Sequence, residues 1–275
     1  MTIDRYAVIG NPVAHSKSPI IHAAFAKATG QELSYERLLA PRDGFAATVE
    51  RFVAEGGKGL NVTIPFKLEA FALARERSAR AESAGACNTL AWRGDHWYGD
   101  NTDGAGLLRD LTDNLGETIT ARDVLVLGAG GAVHGILQPL LAQAPHRVVI
   151  ANRTHARAVE LATHFASQGP VVAIEPRSLG GAHFKIVINA TSIGLNSPVP
   201  RELWPDGLFA PAALAYDLVY ANEMTPFVRW AIEQGAARTA DGLGMLIEQA
   251  AESFLLWRGV RPDTSSAFPL LRPGS

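Results

Sequence analysis

The stretch "VLVLGAGGAVHG", Val124–Gly135, decides the architecture of this chain. Its apolar beginning is typical of a buried strand and its end leads into a helix-like run, so Gly128, Gly130 and Gly131 stand between a strand and a helix. A dinucleotide-binding loop has glycines in this place because the backbone must come close to a pyrophosphate. Val133 stands where the full G-x-G-x-x-G pattern has its third glycine, so strand and helix are expected to pack slightly differently. For these glycines alone, a plain tight turn stays open as the alternative.

The segments around this loop alternate between strand-like and helix-like patterns. From about residue 103 the alternation runs through "GAGLLRDLTDNLG", "RVVIANRT", "HARAVELATHFASQ", "FKIVINATS", "ALAYDLVY" and "TPFVRWAIEQG". Buried strands that alternate with amphipathic helices predict a parallel sheet covered on both faces, which is a Rossmann-like unit. The long helix-like run after it begins with Gly242 and Gly244, which favours a hinge or a close approach of a ligand.

The N-terminal part of the chain also has an α/β pattern. "YAVIG", "SYERLLA" and "GLNVTI" are strand-like, whereas "GFAATVERFVAEGG" and "SPIIHAAFAKATG" are helix-like. In the second of these helices Ser18 is the predicted N-cap, Pro19 the first helical residue and Gly30 the stop. "TLAWRGDHWYGDN" predicts a hairpin that turns at residues 93–96. The predicted fold is therefore α/β throughout the chain.

Composition restricts the partners of the protein. The 275 residues have 47% hydrophobic content, a net charge of −2 and a pI near 6.4, which suits one large or two ordinary globular domains. Since long Lys/Arg runs and long apolar segments are absent, we expect a small-molecule ligand and neither nucleic acid nor a membrane as partner. The single Cys87 and an N-terminus without a signal-peptide pattern make the cytoplasm the default expectation. The histidines and Cys87 show no metal-ligand spacing, so no metal site is expected.

The residues after the next strand indicate which dinucleotide binds. About twenty residues beyond the glycines, where an Asp or Glu would hold the ribose of NAD, the chain reads "ANRTHAR". Arg153 and Arg157 stand there instead, and a guanidinium is suited to bidentate binding of a 2′-phosphate. The sequence therefore favours NADP, while two solvated arginines at a helix start are the alternative.

A lysine in the first half occupies an unusual place. In "NVTIPFK", polar residues alternate with apolar ones up to Pro65, and the helix-like run "PFKLEAFALARER" puts Lys67 in a first helical turn. The positive end of the helix dipole disfavours a cation there by a few tenths of a kcal/mol to about 1 kcal/mol. A lysine in such a place is a candidate for chemistry, although a solvated surface lysine is the ordinary alternative.

Eight motifs in order resemble those of the shikimate dehydrogenase family across essentially the entire chain. They are "VIGNPVAHSKSPIIH", "GGKGLNVTIPFK", "AGACNTL", "GDNTDGAG", "GAGGA", "NRT", "INATSIG" and "ADGLGMLIEQA". The resemblance implies a substrate-binding domain of residues 1–104 completed by residues 240–275, and an NADP-binding Rossmann-like domain of residues 105–239. It also implies reversible NADPH-dependent reduction of 3-dehydroshikimate to shikimate, a step of aromatic amino-acid biosynthesis.

The resemblance suggests a role for the lysine and its partners. A ketone that accepts hydride develops alkoxide charge and must take a proton, which Lys67 can stabilise and donate. Asp103 resembles the catalytic aspartate of the family, and an N-cap role is its alternative. Ser16 and Ser18 stand where hydroxyls at a helix N-terminus could bind the substrate carboxylate. The resemblance implies the same role for Thr63, and the remaining substrate residues that it implies are Asn61, Asn88, Tyr220 and Gln249.

The cofactor residues follow from the glycine loop, the arginines and the matching motifs. They are Gly128, Ala129, Gly130, Gly131, Ala132, Asn152, Arg153, Thr154, Arg157, Thr191 and Met245. Met245 resembles the residue beside the nicotinamide, although a methionine at helical spacing is more often part of a core.

Two other functions and the oligomeric state stay open at the level of sequence. One is a quinate/shikimate-type, NAD-linked dehydrogenase, against which the two arginines argue. The other is a noncatalytic NADP-binding sensor of the same fold, which would be expected to have lost Lys67 and Asp103. A monomer and a homodimer are both compatible with the sequence.

Overall fold

The computed structural model describes residues 3–191 and 203–272 and divides into two compact units. The first unit comprises Met1–Gly106 and Leu246–Ser275, and the second comprises Leu107–Met245. Within the described part of the chain, each unit contains one six-stranded sheet. None of the described helices is both long enough and apolar enough to cross a membrane.

The first unit has a mixed sheet. Its strands are β1 (Asp4–Gly10), β2 (Leu33–Leu39), β3 (Gly57–Val62), β4 (Glu76–Arg77), β5 (Thr89–Trp92) and β6 (Trp97–Asp100), in the order β2-β1-β3-β5-β6-β4. β1 pairs in parallel with β2 and β3, while β5 runs antiparallel to β3 and forms the predicted hairpin with β6. The helices of this unit are α1 (Ser18–Thr29), α2 (Phe45–Ala54), α3 (Lys67–Leu73), α4 (Ala79–Ala84), α9 (Leu243–Arg258, from Leu246 onward) and α10 (Phe268–Leu271).

Alternating residues of β1 divide the core of the first unit. Ala7 and Ile9 belong to a buried cluster with residues of α2 and α3, in which the rings of Phe45 and Phe66 stack with centroids 5.1 Å apart. Side chains of opposite parity point to the other face of a strand. There Tyr6 stacks on Trp257 of α9, with ring centroids 4.8 Å apart.

The structure corrects the predicted start of α1. Gly30 ends the helix as predicted, in the left-handed conformation that suits glycine. Ser18, however, is the first helical residue and Lys17 is the N-cap, without a side-chain capping bond. The reason is that Ser16 supplies the hydroxyl oxygen at this helix start, because its Oγ accepts from the backbone N–H of Ser18 at 3.3 Å.

The helix that carries Lys67 is shorter than predicted. Lys67 lies in the first turn as expected, but α3 begins after Pro65 and Phe66 and ends at Leu73. The following "ARER" was expected to be helical and instead contains β4, which pairs with β6. Competition from strand pairing and from the guanidinium of Arg77, which donates to the carbonyl of Phe71 at 2.8 Å, explains this early end.

The second unit is a parallel sheet as predicted. Its strands are β7 (Asp123–Leu127), β8 (Arg147–Ala151), β9 (Val171–Ile174), β10 (Phe184–Asn189), β11 (Phe209–Asp217) and β12 (Arg238–Ala240), in the order β12-β11-β10-β7-β8-β9. Each neighbouring pair is parallel. Its helices are α5 (Asp103–Arg109, from Leu107 onward), which continues as a π-helical turn (Asp110–Asn114), α6 (Gly131–Leu141), α7 (His155–Phe165) and α8 (Pro226–Glu233).

Both faces of this sheet are buried. Val124, Val126 and Ile188 belong to one apolar cluster, while Leu125 and Val187 belong to another. Adjacent residues of one strand thus contribute to different clusters, as the near-continuous apolar runs of the sequence predict. The carboxyl ends of these strands lead into the glycine loop and into the arginine-containing segment after β8.

Candidate functional site

Lys67 and Asp103 form an ion pair in the first unit. Lys67 begins α3 and Asp103 begins α5, and the distance from Nζ to Oδ2 is 2.6 Å. The side chains are 29% and 13% exposed, so the pair is accessible to a small ligand and yet partly shielded from bulk water. The carboxylate offsets the unfavourable position of the ammonium at a helix start. Lys67 is therefore not the freely solvated lysine that the sequence left open.

The second carboxylate oxygen of Asp103 is held by Asn88. Asn88 Nδ2 donates to Asp103 Oδ1 at 2.7 Å, and the backbone N–H of Thr102 donates to Asn88 Oδ1 at 2.8 Å. Gln249 of α9 accepts from Asn88 Nδ2 at 3.3 Å. The structure thus brings four of the predicted residues, Lys67, Asp103, Asn88 and Gln249, into one hydrogen-bonded cluster.

Asn61, at the end of β3, belongs to the same buried polar region. Its Oδ1 accepts from Tyr35 at 2.7 Å and contacts His22 Nε2 at 3.1 Å. Its Nδ2 donates to Ser253 at 2.8 Å and to Thr89 at 3.3 Å. All four hydrogen-bonding positions of this amide are therefore used by protein groups.

The hydroxyl groups predicted to bind a carboxylate lie at the start of α1 and just after β3. Ser16 donates to Ser18, and the guanidinium of Arg37 holds the carbonyl of Ser16 with hydrogen bonds of 3.0 and 2.6 Å. Thr63 follows β3, and its N–H donates to the carbonyl of Ile9 at 3.0 Å. In the described part of the chain, the Thr63 hydroxyl has no hydrogen-bond partner and is available to a ligand.

The glycine loop of the second unit leaves its backbone uncovered. Gly128 has φ +118°, and an added Cβ would lie 3.0 Å from the carbonyl oxygen of Ala190. Both the backbone conformation and the lack of space therefore disfavour a side chain at this position. Gly130 is the N-cap of α6 and Gly131 its first residue. A Cβ at either position would meet no described atom within 4 Å. This open backbone at the N-terminus of an eleven-residue helix fits an anionic pyrophosphate.

A cleft of about 230 Å³ gathers several predicted cofactor residues. Its lining consists of Leu127, Gly128, Ala151, Asn152, Arg153, Pro176, Thr191, Leu203 and Trp204. Arg153 and Arg157 are exposed, and neither guanidinium has an ion-pair partner among residues 3–191 and 203–272. Both remain available for a phosphate. Asn152 donates to the carbonyl of Thr154 at 2.9 Å, which orders the loop between them.

Thr191 ends the described part of the motif "INATSIG", whose last three residues lie outside the described residues. Its N–H and hydroxyl donate to Asn189 Oδ1 at 3.2 and 2.7 Å. Asn189 donates in turn to the buried carboxylate of Asp217 at 2.9 Å. Burial raises the pKa of Asp217, while the hydroxyl of Thr225 and other donors favour its charged form. The loops after β10 and β11 are thereby tied together.

The glycines before Met245 serve close packing within the second unit. A Cβ at Gly242 would overlap the backbone of Leu218, and one at Gly244 would overlap the carboxylate of Asp110. Tyr216 donates to that carboxylate at 2.6 Å and accepts from the N–H of Met245 at 3.3 Å. The groups that approach these glycines closely are thus protein groups.

Met245 itself lies in the apolar core of the second unit, which is the alternative that its helical spacing allowed. Tyr220 is half-buried in the loop after β11, and burial raises the pKa of its phenol. Both residues belong to the second unit. Tyr220 thereby differs from the other predicted substrate residues, which belong to the first unit. Ala129 and Ala132 lie in the glycine loop and in the first turn of α6.

Sequence reasoning missed several residues of the polar region. They are His22, Tyr35, Thr89, Thr102 and Ser253. Three of them, His22, Thr89 and Thr102, stand inside the quoted motifs, so their presence in "SPIIH", "CNTL" and "DNTDG" was a usable signal. Among the described residues, no group of three or more His, Cys, Asp or Glu side chains is arranged to hold a metal ion.

Family models match three parts of the chain. A model described as shikimate dehydrogenase substrate binding domain matches residues 8–90, and one described as shikimate / quinate 5-dehydrogenase matches residues 110–196. A third, described as shikimate 5'-dehydrogenase C-terminal domain, matches residues 242–266. The matches cover both compact units.

Individual proteins resemble the chain over nearly its full length. A protein of Aromatoleum aromaticum named shikimate dehydrogenase (NADP(+)) is 57% identical, covering 99% of this chain and 98% of that protein. The crystal structure of an Ael1 enzyme from Pseudomonas putida has a TM-score of 0.90 and 49% identity, covering 98% of both chains. That of shikimate 5-dehydrogenase from Thermus thermophilus in complex with NADP(H) and shikimate has a TM-score of 0.83 and 33% identity, covering 96% of this chain and 97% of the other.

Proposed function

This chain belongs to the shikimate dehydrogenase family, and from that premise we propose how its residues support an NADP-dependent dehydrogenase. The reaction is the reversible reduction of 3-dehydroshikimate to shikimate, in which a ketone becomes a secondary alcohol. The observation that carries the proposal is the 2.6 Å ion pair between Lys67 and Asp103. This pair lies in the unit that contains the match to the substrate-binding domain.

Lys67 and Asp103 handle the proton of the reaction. In the direction of oxidation, the pair takes the proton of the substrate hydroxyl, and in the direction of reduction it returns that proton to the developing alkoxide. The ammonium stabilises negative charge on the reacting oxygen, and the carboxylate keeps the ammonium in place. Asn88 leaves the carboxylate little freedom to rotate, because it binds the oxygen that does not contact Lys67. A pair held in this way needs little reorganisation when charge develops.

The substrate carboxylate is bound by hydroxyl groups in this proposal. Ser16, Ser18 and Thr63 supply hydrogen-bond donors without adding a charge. The hydroxyl of Thr63 has no hydrogen-bond partner among the described residues, so it can bind the substrate without giving up a protein hydrogen bond. Asn61, Asn88 and Gln249 bind ring hydroxyls. The two asparagines do so by exchanging one protein hydrogen bond for one to the substrate, since both amides already have protein partners. Tyr220 of the second unit completes the proposed set.

The second unit binds NADP, and its residues fit that cofactor. The uncovered backbone at Gly130 and Gly131 suits the pyrophosphate, and the guanidiniums of Arg153 and Arg157, which have no ion-pair partner among the described residues, suit the 2′-phosphate. Further proposed contacts come from Gly128, Ala129, Ala132, Asn152, Thr154, Thr191 and Met245. NADPH, when bound, supplies the hydride of the reduction.

The domain roles follow from the same proposal. Residues 1–104 with 240–275 form the substrate-binding domain, and residues 105–239 form the NADP-binding domain. The proposed setting is the cytoplasm, where the single Cys87 needs no disulfide partner. Sedimentation of the purified protein decides between a monomer and a homodimer, both of which the proposal allows.

One set of assays tests the proposed function against its alternatives. The reduction of NADP and of NAD is measured with shikimate and with quinate, for the wild-type protein and for Lys67→Ala. We expect turnover of shikimate with NADP that far exceeds the other three combinations and is lost in the variant. Preference for quinate or for NAD would point to the quinate-type alternative, and no turnover of any pair would point to a sensor.

A further inference from the structure

His22 is a buried polar residue that the proposed mechanism does not use. It lies in α1, is fully buried and stacks on Tyr35, with ring centroids 4.2 Å apart and an angle of 7° between the planes. The other rings around it belong to Phe25, Phe254 and Trp257. In the described chain, its Nδ1 has no hydrogen-bond partner, so its one polar contact is from Nε2 to Asn61 at 3.1 Å. A buried imidazole with a single polar contact must have a reason to be there that packing alone does not give.

The polar groups between His22 and the ion pair constrain the orientation of one another, beginning at Asp103. An ionised carboxylate only accepts hydrogen bonds, so Asn88 must turn its Nδ2 toward Asp103. The backbone N–H of Thr102 donates to Asn88 Oδ1, which fixes the same orientation from the other side. Asn88 Oδ1 is therefore an acceptor, and the hydroxyl of Thr89 donates to it at 2.9 Å.

The same reasoning extends from Thr89 to His22. The Thr89 hydroxyl also lies 2.8 Å from Ser253 Oγ; in the arrangement in which Ser253 donates to Thr89, the proton of Thr89 goes to Asn88 and its oxygen accepts from Asn61 Nδ2 at 3.3 Å. Asn61 Oδ1 then faces His22 and Tyr35, and it accepts from both. His22 must carry its proton on Nε2, which agrees with an Nδ1 that faces no acceptor among the described residues. Burial lowers the pKa of His22 to about 3, so the ring is neutral near pH 7 and has only this one proton to donate.

We propose that His22 is a positioning residue for Asp103, to which it is joined by a chain of four hydrogen bonds that all donate in the same direction. The intermediate links are Asn61, Thr89 and Asn88. This inference rests on the proposed function, because it assigns His22 to the same proton-transfer site. His22 itself contacts neither the ion pair nor, in this proposal, the substrate.

Directional chains of this kind strengthen each bond through polarisation of the next. The last donor of the chain, Asn88, holds the oxygen of Asp103 that does not contact Lys67. Removal of the first donor leaves Tyr35 as the single donor to Asn61 Oδ1, so the amide resists rotation less and is held chiefly by the bonds from its Nδ2 to Ser253 and Thr89. When this amide rotates, Asn61 presents its oxygen to Thr89 in place of Nδ2. The hydrogen bond from Thr89 to Asn88 then changes, and with it the position of the Asn88 amide that holds Asp103. Small displacements of a catalytic group are costly for the rate of the chemical step.

The first experiment compares three variants by kcat and KM for oxidation of shikimate with NADP. His22→Phe keeps an aromatic ring on Tyr35 and removes the donor, and we expect kcat to fall roughly tenfold while KM for NADP stays unchanged. His22→Gln offers an amide N–H near the position of Nε2 and should recover most of kcat. Phe25 lies in the same helix and packs against the ring of His22. Phe25→Leu removes packing alone, so it should lower the thermal midpoint and leave kcat at the wild-type value.

A double-mutant cycle separates a chain from a general structural effect. Thr89→Val breaks the chain in the middle, so kcat should fall in this variant and should not fall further when His22→Phe is added. Independent, multiplicative losses would overturn the proposal, and so would a wild-type kcat in His22→Phe. Should His22→Phe not fold, a wild-type kcat in Thr89→Val overturns it equally. Wild-type turnover of shikimate is measured first, so that failure of the proposed function is recognised separately from failure of the His22 assignment.

Discussion

Arg80 binds both carboxylate oxygens of Asp100, with Nε–Oδ1 and Nη2–Oδ2 distances of 2.7 Å each. Asp100 is 5% exposed and lies three positions before Asp103, so this pair fixes the strand end from which the segment that carries Asp103 departs. The same guanidinium reaches Glu252 of α9 at 3.2 Å. It thereby connects the strand that leads to Asp103 with the helix that carries Gln249.

We expect Arg80→Gln to destabilise the protein by about 2–4 kcal/mol, because it leaves a buried carboxylate without its cation. Urea unfolding monitored by Trp fluorescence measures this change in the free energy of unfolding. Arg75→Gln is the control, since its ion pair with Asp95 is about 70% exposed on both sides and should contribute little. Equal losses in the two variants would contradict the expected difference.

The ion pair of Lys67 and Asp103 predicts a strongly coupled effect on kcat. Lys67→Ala should lower kcat by about 10²–10⁴-fold while shikimate and NADP still bind. Asp103→Asn should add much less in that background than it does alone, since both groups serve one proton transfer. Lys58→Ala, which removes an exposed lysine of β3, should retain wild-type kcat. Near-normal turnover in Lys67→Ala would return this lysine to a purely structural role.

The exposed guanidinium of Arg153 predicts the cofactor preference. Arg153→Ala should weaken NADPH binding by roughly tenfold to a hundredfold and leave NADH binding almost unchanged, because only NADPH loses a charge-assisted contact to the 2′-phosphate. Fluorescence titration with both nucleotides measures the ratio, with Arg229→Ala of α8 as the matched exposed arginine. A loss of the same size for NADH would show that Arg153 does not contact the 2′-phosphate.

The buried imidazole of His22 predicts how stability depends on pH. Its pKa is about 3 in the folded protein, lowered by burial from the ordinary value of 6.5. As the pH falls below about 6.5, the unfolded chain takes up a proton on this ring and the folded protein does not, so folding becomes less favourable. The contribution approaches about 1.4 kcal/mol per pH unit and levels off near pH 3.

Urea unfolding of the wild type and of His22→Phe at pH 7, 6, 5 and 4 isolates this contribution, since all other groups are common to both proteins. The variant should show the shallower decline. Parallel curves would mean that the ring is already protonated in the folded protein or is accessible to water.

The glycine beside Asp110 predicts a packing defect. Gly244→Ala would push a methyl group into the carboxylate that binds Tyr216, and we expect a loss of about 1–3 kcal/mol in the free energy of unfolding. Gly180→Ala is the control, because a Cβ there meets no described atom within 4 Å and its φ is not in the left-handed region. A neutral Gly244→Ala would show that the π-helical turn at Asp110 yields easily.

Local patterns predicted those parts of the molecule whose cause is local. The buried strands of the second unit, the hairpin after Thr89 and the glycine stop at Gly30 all follow from periodicity or from backbone conformation. Ser18 was predicted as an N-cap, whereas Ser16 supplies the hydroxyl that accepts from the first turn, because local rules do not distinguish two serines this close in sequence. The short α3 has the same origin, since the pairing of β4 with β6 joins segments that are distant in sequence.

The candidate site divides in the same way. Arg153 and Lys67 stood out because each departs from a local expectation, a missing acidic residue in one place and a cation at a helix start in the other. His22 and Ser253 did not stand out, because a histidine or serine inside an apolar helix pattern acquires meaning only through partners on other elements. Such partners are a property of the folded chain.

The polar region around Asn61 is assembled from both ends of the chain, and this has a consequence during synthesis. Ser253 and Gln249 emerge from the ribosome only after the whole second unit has been made. Until then, the N-terminal sheet lacks α9, whose Trp257 donates to Leu90 at 3.0 Å. The second unit, a continuous segment, can complete its own core first. We therefore expect a released chain truncated at residue 245 to contain a finished second unit together with an unfinished, protease-sensitive N-terminal segment.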